Sequence, residues 1–583
     1  MKQLKVLYFM LGLLAFSVKP ALADVNVSVT FFQSDLSITP ITLQGQNYDF
    51  VNLKGCSYLG APGEPMLPVK TVYVSIPANQ DPNGLIVGVP DTVSQTISNK
   101  IYPAQYPIAA DGVAKNVAFV APSAVYTIDA NYPGNYAEVV HSGNLGGYKI
   151  VAINVYPLQY NPAKNSMALV TSVSLTLTTK SASVAPLAYN TRTEFQDKIY
   201  RKMVSALVTN PSVIPVSKVK KSSSDIMKPL KLTQLPSQES DEVPYIIITE
   251  SPFDTVFQRL ADWKTKRGLP TIVKKVSWIN QNYFGVDLQD KIRNFIRDCY
   301  SNWGTVYVLL GGGPEIVPCR YTRNFCRGYA ASDAKLYTEN VPSDMYYSDL
   351  DGTWNTDGDN YFGEGPVIVT EEPLVIDYND IVDMYPEVFV GRASVDSVKH
   401  AQTFVHKTMT YETTQLAATT DYSQKLCFLA GLMDVTVKSI DTTITPHDTT
   451  WASTPTDTTK NSIISQYLPA NIIVDPLYNR CDSATGIITR NLDKQSAWQA
   501  LNNGLYNIVN QLDHGGWFLT CVGQEPGQTQ NRFYMHEVDT MRNNDSLFIW
   551  LAFMNCETNY FDRDCFAEHA INCATGGPVK NNC

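Results

Sequence analysis

The chain has 583 residues and a net charge of −10 at neutral pH, with 44% hydrophobic and 17% charged residues. This apolar fraction excludes an intrinsically disordered chain. The length exceeds what one hydrophobic core usually serves, so we expect roughly two to four domains. Because the chain is acidic and carries no long block of Lys or Arg, nucleic-acid binding is excluded from the expected functions.

The N-terminus has the pattern of an export signal. A short stretch with two lysines precedes an apolar run over residues 6–18, and a small-residue A-x-A site follows at 21–23. This pattern predicts a signal peptide over residues 1–23 and hence a secreted or cell-surface protein. The apolar run is too short to span a bilayer, and no later stretch reaches the ~18 to 20 apolar residues that a spanning helix needs. No transmembrane segment is therefore expected.

From residue 24 to about 215 the sequence consists of short alternating apolar runs separated by Gly, Pro and Asn. The clearest run, residues 168–177, has the period of two that is typical of strands, and the pattern predicts an all-β domain of sandwich or barrel type. Residues 216–242 lose this periodicity and are polar and basic. We interpret them as an exposed linker, which is either a plain tether or a processing site at Lys220 and Lys221.

Strand-like and helix-like segments alternate from residue 243 to residue 583. A buried-type strand at 245–249 precedes a helix-like run at 253–267 and a further strand at 271–273. This alternation predicts an α/β domain with a largely parallel sheet, whose active site lies at the carboxyl ends of the strands. The glycines at 311–313 lack the spacing of a phosphate-binding loop, so they predict a tight turn and no organic cofactor is expected.

An acidic loop over residues 349–364 is a candidate metal site. Asn355, Asp357, Asp359 and Glu364 place several oxygen ligands at close intervals in a glycine-containing loop, as hard divalent cations require, although the spacing is not that of an EF-hand. Without an ion, so many carboxylates would repel one another. The loop therefore predicts a structural Ca²⁺ site, with a solvated acidic turn as the alternative.

Two apolar strands near the C-terminus each end at a reactive residue. The first precedes His514 and Gly515, and the second precedes Cys556. Neighbouring parallel strands lie ~4.8 Å apart, so a His and a Cys at equivalent strand ends come within reach of each other. A nearby imidazole activates a thiol as a nucleophile, and the amide of Gly515 is placed to stabilise an oxyanion. The alternative from the residues alone is a buried structural Cys and a His in a turn.

These segments resemble the gingipain family of secreted cysteine peptidases, which have a caspase-like α/β fold. The shared pattern is a strand that ends in His-Gly, a later strand that ends in Cys, and a helix start that reads Cys565-Phe566-Ala567-Glu568 here. Further similar stretches are residues 260–269, 307–313 and 386–392, and residues 60–68 resemble the N-terminal propeptide of the family.

The resemblance assigns roles to individual residues. It implies that Cys556 is the nucleophile and His514 the general acid/base, with the amides of Gly515 and Cys556 as the oxyanion hole. It also implies an acidic residue that orients the His, for which the matching stretch offers Asp434. His536 and His569 are alternatives for the base, but neither follows a strand and precedes a glycine.

The expected function is therefore a secreted cysteine endopeptidase made as a zymogen, which hydrolyses protein or peptide substrates. The domain at 24–215 would be its propeptide and intramolecular inhibitor, covering the cleft until the linker is cut near Lys220 and Lys221. The alternative is a catalytically inactive, peptidase-like surface or interaction protein. Family members continue beyond Gly577 with another core strand, so the resemblance also predicts that the domain at 243–583 is truncated at its C-terminus.

Overall fold

The computed structural model of the protein describes residues 24–43, 45–105, 119–182, 187, 192–214, 242–327, 336–364, 380, 382, 384–417, 421–441, 448–481, 488–502, 506–524, 530–541 and 550–573. The predicted signal peptide, the linker up to residue 241 with Lys220 and Lys221, and residues 574–583 lie outside these ranges.

The N-terminal part is built from strands that pair mostly antiparallel. Its elements are β1 (Val25–Thr30), β2 (Leu36–Leu43), β3 (Gln46–Leu53), β4 (Ser57–Leu59), β5 (Leu67–Ile76), β6 (Gln80–Val87), β7 (Asp91–Gln95), β8 (Lys100–Ile101), β9 (Ala137–Leu145), β10 (Tyr148–Val155), β11 (Leu158–Asn161), β12 (Ser166–Ser181) and the helix α1 (Glu194–Leu207). Strands β4-β5-β10-β9 form one sheet, and β12 joins β1, β11, β6 and β7 in another.

Strand β12 shows why this part folds as packed sheets. Val173, Leu175 and Leu177 are buried, and they alternate with Ser174 and Thr176, whose side chains lie on the opposite face. A strand with this period of two has one face for the core and one for solvent. The buried face packs with strands of the other sheet into one hydrophobic core, as the sequence predicts.

The central part is a first α/β unit. Its elements are β13 (Tyr245–Thr249), α2 (Asp254–Lys266), β14 (Thr271–Lys275), α3 (Val276–Asn282), α4 (Leu288–Asp298), β15 (Tyr307–Gly311), β16 (Arg320–Arg327), β17 (Leu336–Ser343), β18 (Phe389–Ala393) and α5 (Val398–Ala417). Strands β14-β13-β15-β18 form a parallel sheet in that order, which we call the first sheet.

The C-terminal part is a second α/β unit. Its elements are β19 (Lys425–Ala430), β20 (Leu432–Asp441), β21 (Asp448–Pro455), α6 (Asp457–Gln466), β22 (Ile473–Cys481), β23 (Ile488–Arg490), α7 (Lys494–Asn502), β24 (Ile508–Leu512), β25 (Gly515–Gly516), β26 (Leu519–Gln524), β27 (Gln530–Tyr534), α8 (Met535–Val538), β28 (Trp550–Met554) and α9 (Phe566–Asn572). Strands β22-β19-β24-β28 are parallel and form the second sheet, with β23 antiparallel at its edge.

These sheets confirm the predicted fold class, an all-β N-terminal domain followed by an α/β domain with largely parallel sheets. Among the described residues, no helix combines the length and the apolar character that crossing a bilayer requires.

The helix α1 belongs to the core of the first sheet, although it is part of the predicted propeptide. Tyr200 and Val204 are fully buried in one cluster with Ile246 and Val308 of the first sheet, and the Tyr200 ring stacks on Phe389 at a centroid distance of 5.9 Å. An amphipathic helix gains most of its stability from such packing. The N-terminal domain and the first sheet therefore share a hydrophobic core.

A polar contact fixes the register of α1 on this sheet. The side-chain amide of Gln196 donates to the carbonyl oxygens of Tyr300, at 3.1 Å, and Thr305, at 3.2 Å. Gln196 is fully buried, so these hydrogen bonds satisfy donors that would otherwise cost free energy in the core.

We expect Tyr200→Ala to destabilise the full-length chain by about 3 to 5 kcal/mol, because it opens a cavity between α1 and the first sheet. Denaturant unfolding followed by fluorescence measures this change. Met203→Ala is the control, since Met203 lies on the same helix with 37% of its surface exposed. Equal unfolding midpoints for the two variants would contradict the shared core.

Candidate active site

The second sheet brings the predicted dyad to one rim. Strands β24 and β28 are parallel neighbours, and Leu512 at the end of β24 pairs with Met554 at the end of β28. His514 and Cys556 each lie two residues beyond this pair. They therefore occupy matching positions at the carboxyl edge, where parallel α/β sheets carry their sites.

A close backbone approach joins the two strand ends. A Cβ atom at Gly515 would lie 2.8 Å from the Cβ of Asn555 and 2.9 Å from the carbonyl oxygen of Cys556. Real Cβ atoms essentially never approach so closely, so only glycine fits after His514. The segments that carry the two predicted oxyanion amides, those of Gly515 and Cys556, are thus in direct contact.

The turn at Cys556 presents its thiol to solvent. Cys556 is exposed, whereas His514 is only 8% exposed. Glu557, directly after the thiol, has φ = +55°, a left-handed conformation that is uncommon for a residue with a Cβ atom and often marks functional turns. The side chain of Asn555 donates a hydrogen bond to Thr520 on β26 and fixes the turn from the other side.

The structure also places an acidic residue next to His514 that the sequence analysis did not select. Asp513 is 2% exposed, and its carboxylate accepts hydrogen bonds of 2.8 Å from the backbone amides of His514 and Gly523. Burial raises the pKa of Asp513 to about 6, although the two amides and His514 act in the opposite direction. The sequence shows an acid between an apolar strand and a His, but its partners are set by the fold.

The predicted orienting acid, Asp434, lies in β20, which begins directly after Gly431 at the end of β19. Its side chain is outside the described residues, so its role stays a prediction.

The alternative bases have other environments. Both ring nitrogens of His569 on α9 lie 2.8 Å from carboxylate oxygens, those of Asp539 and Asp564. These hydrogen bonds raise the pKa of His569 even though burial alone would lower it. His536 on α8 stacks on the ring of Tyr534 at 5.7 Å and is exposed. A His with both nitrogens bound to carboxylates is not available to activate a thiol.

The acidic loop of the first α/β unit brings three of its four predicted ligands together. Carboxylate oxygens of Asp357, Asp359 and Glu364 all lie within 4.8 Å of one another. The Asn355 side chain instead shapes the loop, since its NH₂ donates to the Asp359 carbonyl at 2.7 Å and its oxygen accepts from the Gly358 amide at 2.8 Å.

One carboxylate of this cluster is buried with an unused oxygen. Glu364 is 2% exposed, and its Oε1 has no hydrogen-bond partner among the described residues. Burial, followed by the carboxylates of Asp359 and Asp357, raises the pKa of Glu364 above its ordinary value. Asp380, which the sequence analysis missed, braces the loop by accepting from the amides of Thr356 and Glu364. Such an oxygen beside two more carboxylates fits a hard cation.

A second acidic group lies where the N-terminal domain meets the first sheet. Oxygens of Asp349, Asp351 and Glu387 lie within 4.8 Å of one another, and Asn144 of the N-terminal domain donates to Asp351 at 2.7 Å. Burial raises the pKa of Asp351. This contact and the core around α1 dock the N-terminal domain on the first sheet, while Cys556 at the rim of the second sheet stays exposed.

Comparison with known proteins gives two family matches. Residues 238–581, more than half of the chain, match Peptidase family C25, and residues 20–205 match Propeptide_C25. Over 442 residues the chain is 21% identical to gingipain R2 of Porphyromonas gingivalis, covering 72% of this chain and 50% of that protein. It is also 21% identical over 442 residues to gingipain R1 of the same organism, covering 37% of that protein. The chain thus spans about half the length, or less, of these curated relatives.

Solved structures show a weaker similarity. A structure concerning the zymogenic latency of gingipain K from Porphyromonas gingivalis is 20% identical, with a TM-score of 0.25, and covers 27% of this chain and 88% of its own. A complex of the pro- and mature domains of RgpB from the same organism is 16% identical, with a TM-score of 0.26, and covers 32% and 92%.

Proposed function

The chain belongs to peptidase family C25, with an N-terminal segment of the corresponding propeptide type, and we propose that it is an exported cysteine endopeptidase made as a zymogen. One observation carries the proposal. An exposed cysteine, Cys556, and a histidine, His514, occupy matching positions beyond two paired parallel strands of the second sheet. Parallel α/β sheets place catalytic groups at this edge.

The proposed reaction uses these groups in turn. His514 takes the proton of the Cys556 thiol, and the thiolate attacks the carbonyl carbon of the substrate peptide bond. The amides of Gly515 and Cys556 stabilise the resulting oxyanion. The imidazolium then donates its proton to the leaving amine, and a water molecule, deprotonated by His514, hydrolyses the thioester.

The proposed inhibitor is the chain's own N-terminal domain. The match of residues 20–205 to Propeptide_C25 supports this role. The domain is docked on the first sheet through α1 and Asn144. Cys556 is exposed in this arrangement, so the described residues do not show the expected covering of the cleft. Lys220 and Lys221 are the proposed processing site.

We expect Cys556→Ala to abolish labelling by a thiol-reactive peptide probe and to lower kcat/KM for peptide hydrolysis by at least about 10³-fold. Cys427→Ala is the matched control on the same sheet. Burial raises the pKa of the Cys427 thiol to about 12, so this thiol stays protonated and unreactive. Absence of labelling in the chain freed of residues 24–221 would support the alternative, an inactive peptidase-like scaffold, and labelling that persists in Cys556→Ala would exclude Cys556 as the reactive thiol.

We expect a cut in the linker to raise the activity of the purified full-length chain. Brief trypsin treatment of the parent and of a variant with Gln at all five linker lysines, followed by peptide hydrolysis assays, measures this gain; these lysines are Lys218, Lys220, Lys221, Lys228 and Lys231. The parent should gain at least about tenfold in kcat/KM, and the variant should gain less. An untreated full-length chain as active as the cut form would contradict the zymogen.

We further propose that Asp357, Asp359 and Glu364 hold a structural Ca²⁺ ion. The support is the buried oxygen of Glu364, since a buried charge needs a counter-charge or a ligand. Asn355 and Asp380 hold the loop that presents these oxygens.

For this site we expect Ca²⁺ to raise the melting temperature of the parent and not that of Glu364→Gln. An ion at 100 times its Kd adds about 2.7 kcal/mol of stability. Without Ca²⁺, at neutral pH, we expect Glu364→Gln to melt at a higher temperature than the parent. Folding raises the pKa of Glu364, so its ionisation costs stability as the pH rises through the shifted range, and the neutral Gln variant escapes that cost.

Calorimetric melting with CaCl₂ or with a chelator measures both effects. Asp262→Asn, a change of the same charge at an exposed position of α2, is the control. A parent chain that ignores Ca²⁺ would favour a solvated acidic turn.

A further inference from the structure

Asp513 connects the turn of His514 to a neighbouring hairpin. One carboxylate oxygen accepts the His514 amide and the other accepts the Gly523 amide of β26, both at 2.8 Å. The amide of Cys521 on β26 in turn donates to the His514 carbonyl at 2.8 Å. Both backbone polar groups of His514 are therefore linked to β26. The carbonyl is bound directly by Cys521, and the amide is linked through the Asp513 carboxylate.

The space for this carboxylate comes from the neighbouring strand. A Cβ atom at Gly431, directly after β19, would lie 2.1 Å from an oxygen of Asp513, so only glycine fits there. The Gly431 amide donates to the Leu512 carbonyl at 3.0 Å, and the Thr456 hydroxyl donates to the Gly431 carbonyl at 2.7 Å. Three segments of the second α/β unit thus meet at Asp513.

We propose that Asp513 is a positioning residue for His514, which fixes the imidazole opposite Cys556 by locking the backbone of its turn to β26. This proposal rests on the proposed peptidase function. The route of this effect is the main chain, since each carboxylate oxygen of Asp513 accepts a backbone amide. A carboxylate that accepts two backbone amides makes strong, charge-assisted hydrogen bonds, and burial removes the competition of water.

The position of a general base must be accurate. Displacing a catalytic group by about 1 Å can cost about 10²-fold in rate. A turn with a Gly directly after His514 has little intrinsic stiffness, since glycine has the largest conformational freedom of all residues. The Asp513 contacts supply the stiffness that Gly515 cannot.

Asp513→Asn tests the proposal with minimal change of shape. The amide keeps one acceptor oxygen, but its NH₂ group faces a backbone N–H, so one hydrogen bond is replaced by a contact between two donors. We expect kcat for peptide hydrolysis to fall about tenfold or more, with KM changed less than about twofold. That split separates loss of positioning from loss of substrate binding.

Glu250→Gln is the matched control. The Glu250 carboxylate also accepts two backbone amides, those of Ser251 at 2.9 Å and Ser277 at 2.7 Å, at the carboxyl end of the first sheet. The same chemical change there should leave kcat unaltered. Gly431→Ala is a second test variant, because it displaces the Asp513 carboxylate without changing any charge, and it should lower kcat as Asp513→Asn does.

Amide hydrogen exchange of the full-length chain provides a readout that needs no enzyme activity. Peptides that cover residues 513–524 should exchange at least about tenfold faster in Asp513→Asn than in the parent. If the parent, with its linker cut, hydrolyses no peptide, the proposed function fails, and the exchange rates still decide whether Asp513 locks this turn. Unchanged exchange, or a kcat equal to that of Glu250→Gln in a peptidase, would overturn the proposal.

Discussion

The parallel pairing of β24 with β28 is the constraint on which the candidate chemistry depends. Each strand delivers one reactive side chain two residues beyond its last paired residue, and the backbone ladder fixes the two ends at equal height. Because side chains alternate between the faces of a strand, a shift of one residue in this pairing would turn the side chains of β28 to the other face of the sheet. The ladder therefore sets the backbone positions from which the two predicted catalytic residues extend.

The packing of the chain does not follow the division suggested by its sequence. The change from an alternating to a 3.6-residue pattern near residue 220 separates a β domain from an α/β domain, yet α1 lies in the core of the first sheet. Cutting the linker would break no contact of Tyr200 or Gln196 with that sheet. Separation of the two halves would expose apolar surface on both, and the hydrophobic effect opposes it. The gain in activity expected after a linker cut therefore requires that the N-terminal domain is also released or degraded.

Local sequence patterns were sufficient to predict the strands and the two strand ends that precede His514 and Cys556. Alternation in β12 and the apolar runs before His514 and Cys556 are properties of short segments, and the fold retains them. The setting of Asp513 could not be predicted, because its partner Gly523 and the space beside Gly431 come from other strands. The docking of α1 likewise depends on residues about 100 positions away along the chain.

Two buried carboxylates, Asp513 and Glu364, differ in whether their oxygens accept hydrogen bonds. This difference distinguishes a structural acid from a candidate metal ligand. Burial raises the pKa of both Asp513 and Glu364, so a pKa shift by itself does not distinguish them. Asp513 has an amide donor on each oxygen, which leaves little capacity for an ion and suits a fixed structural role. Glu364 has one oxygen for which the described part of the chain offers no donor, and it faces two further carboxylates. Among the described residues no donor satisfies that oxygen, which supports the proposal of a bound cation that would offset both the desolvation cost and the repulsion.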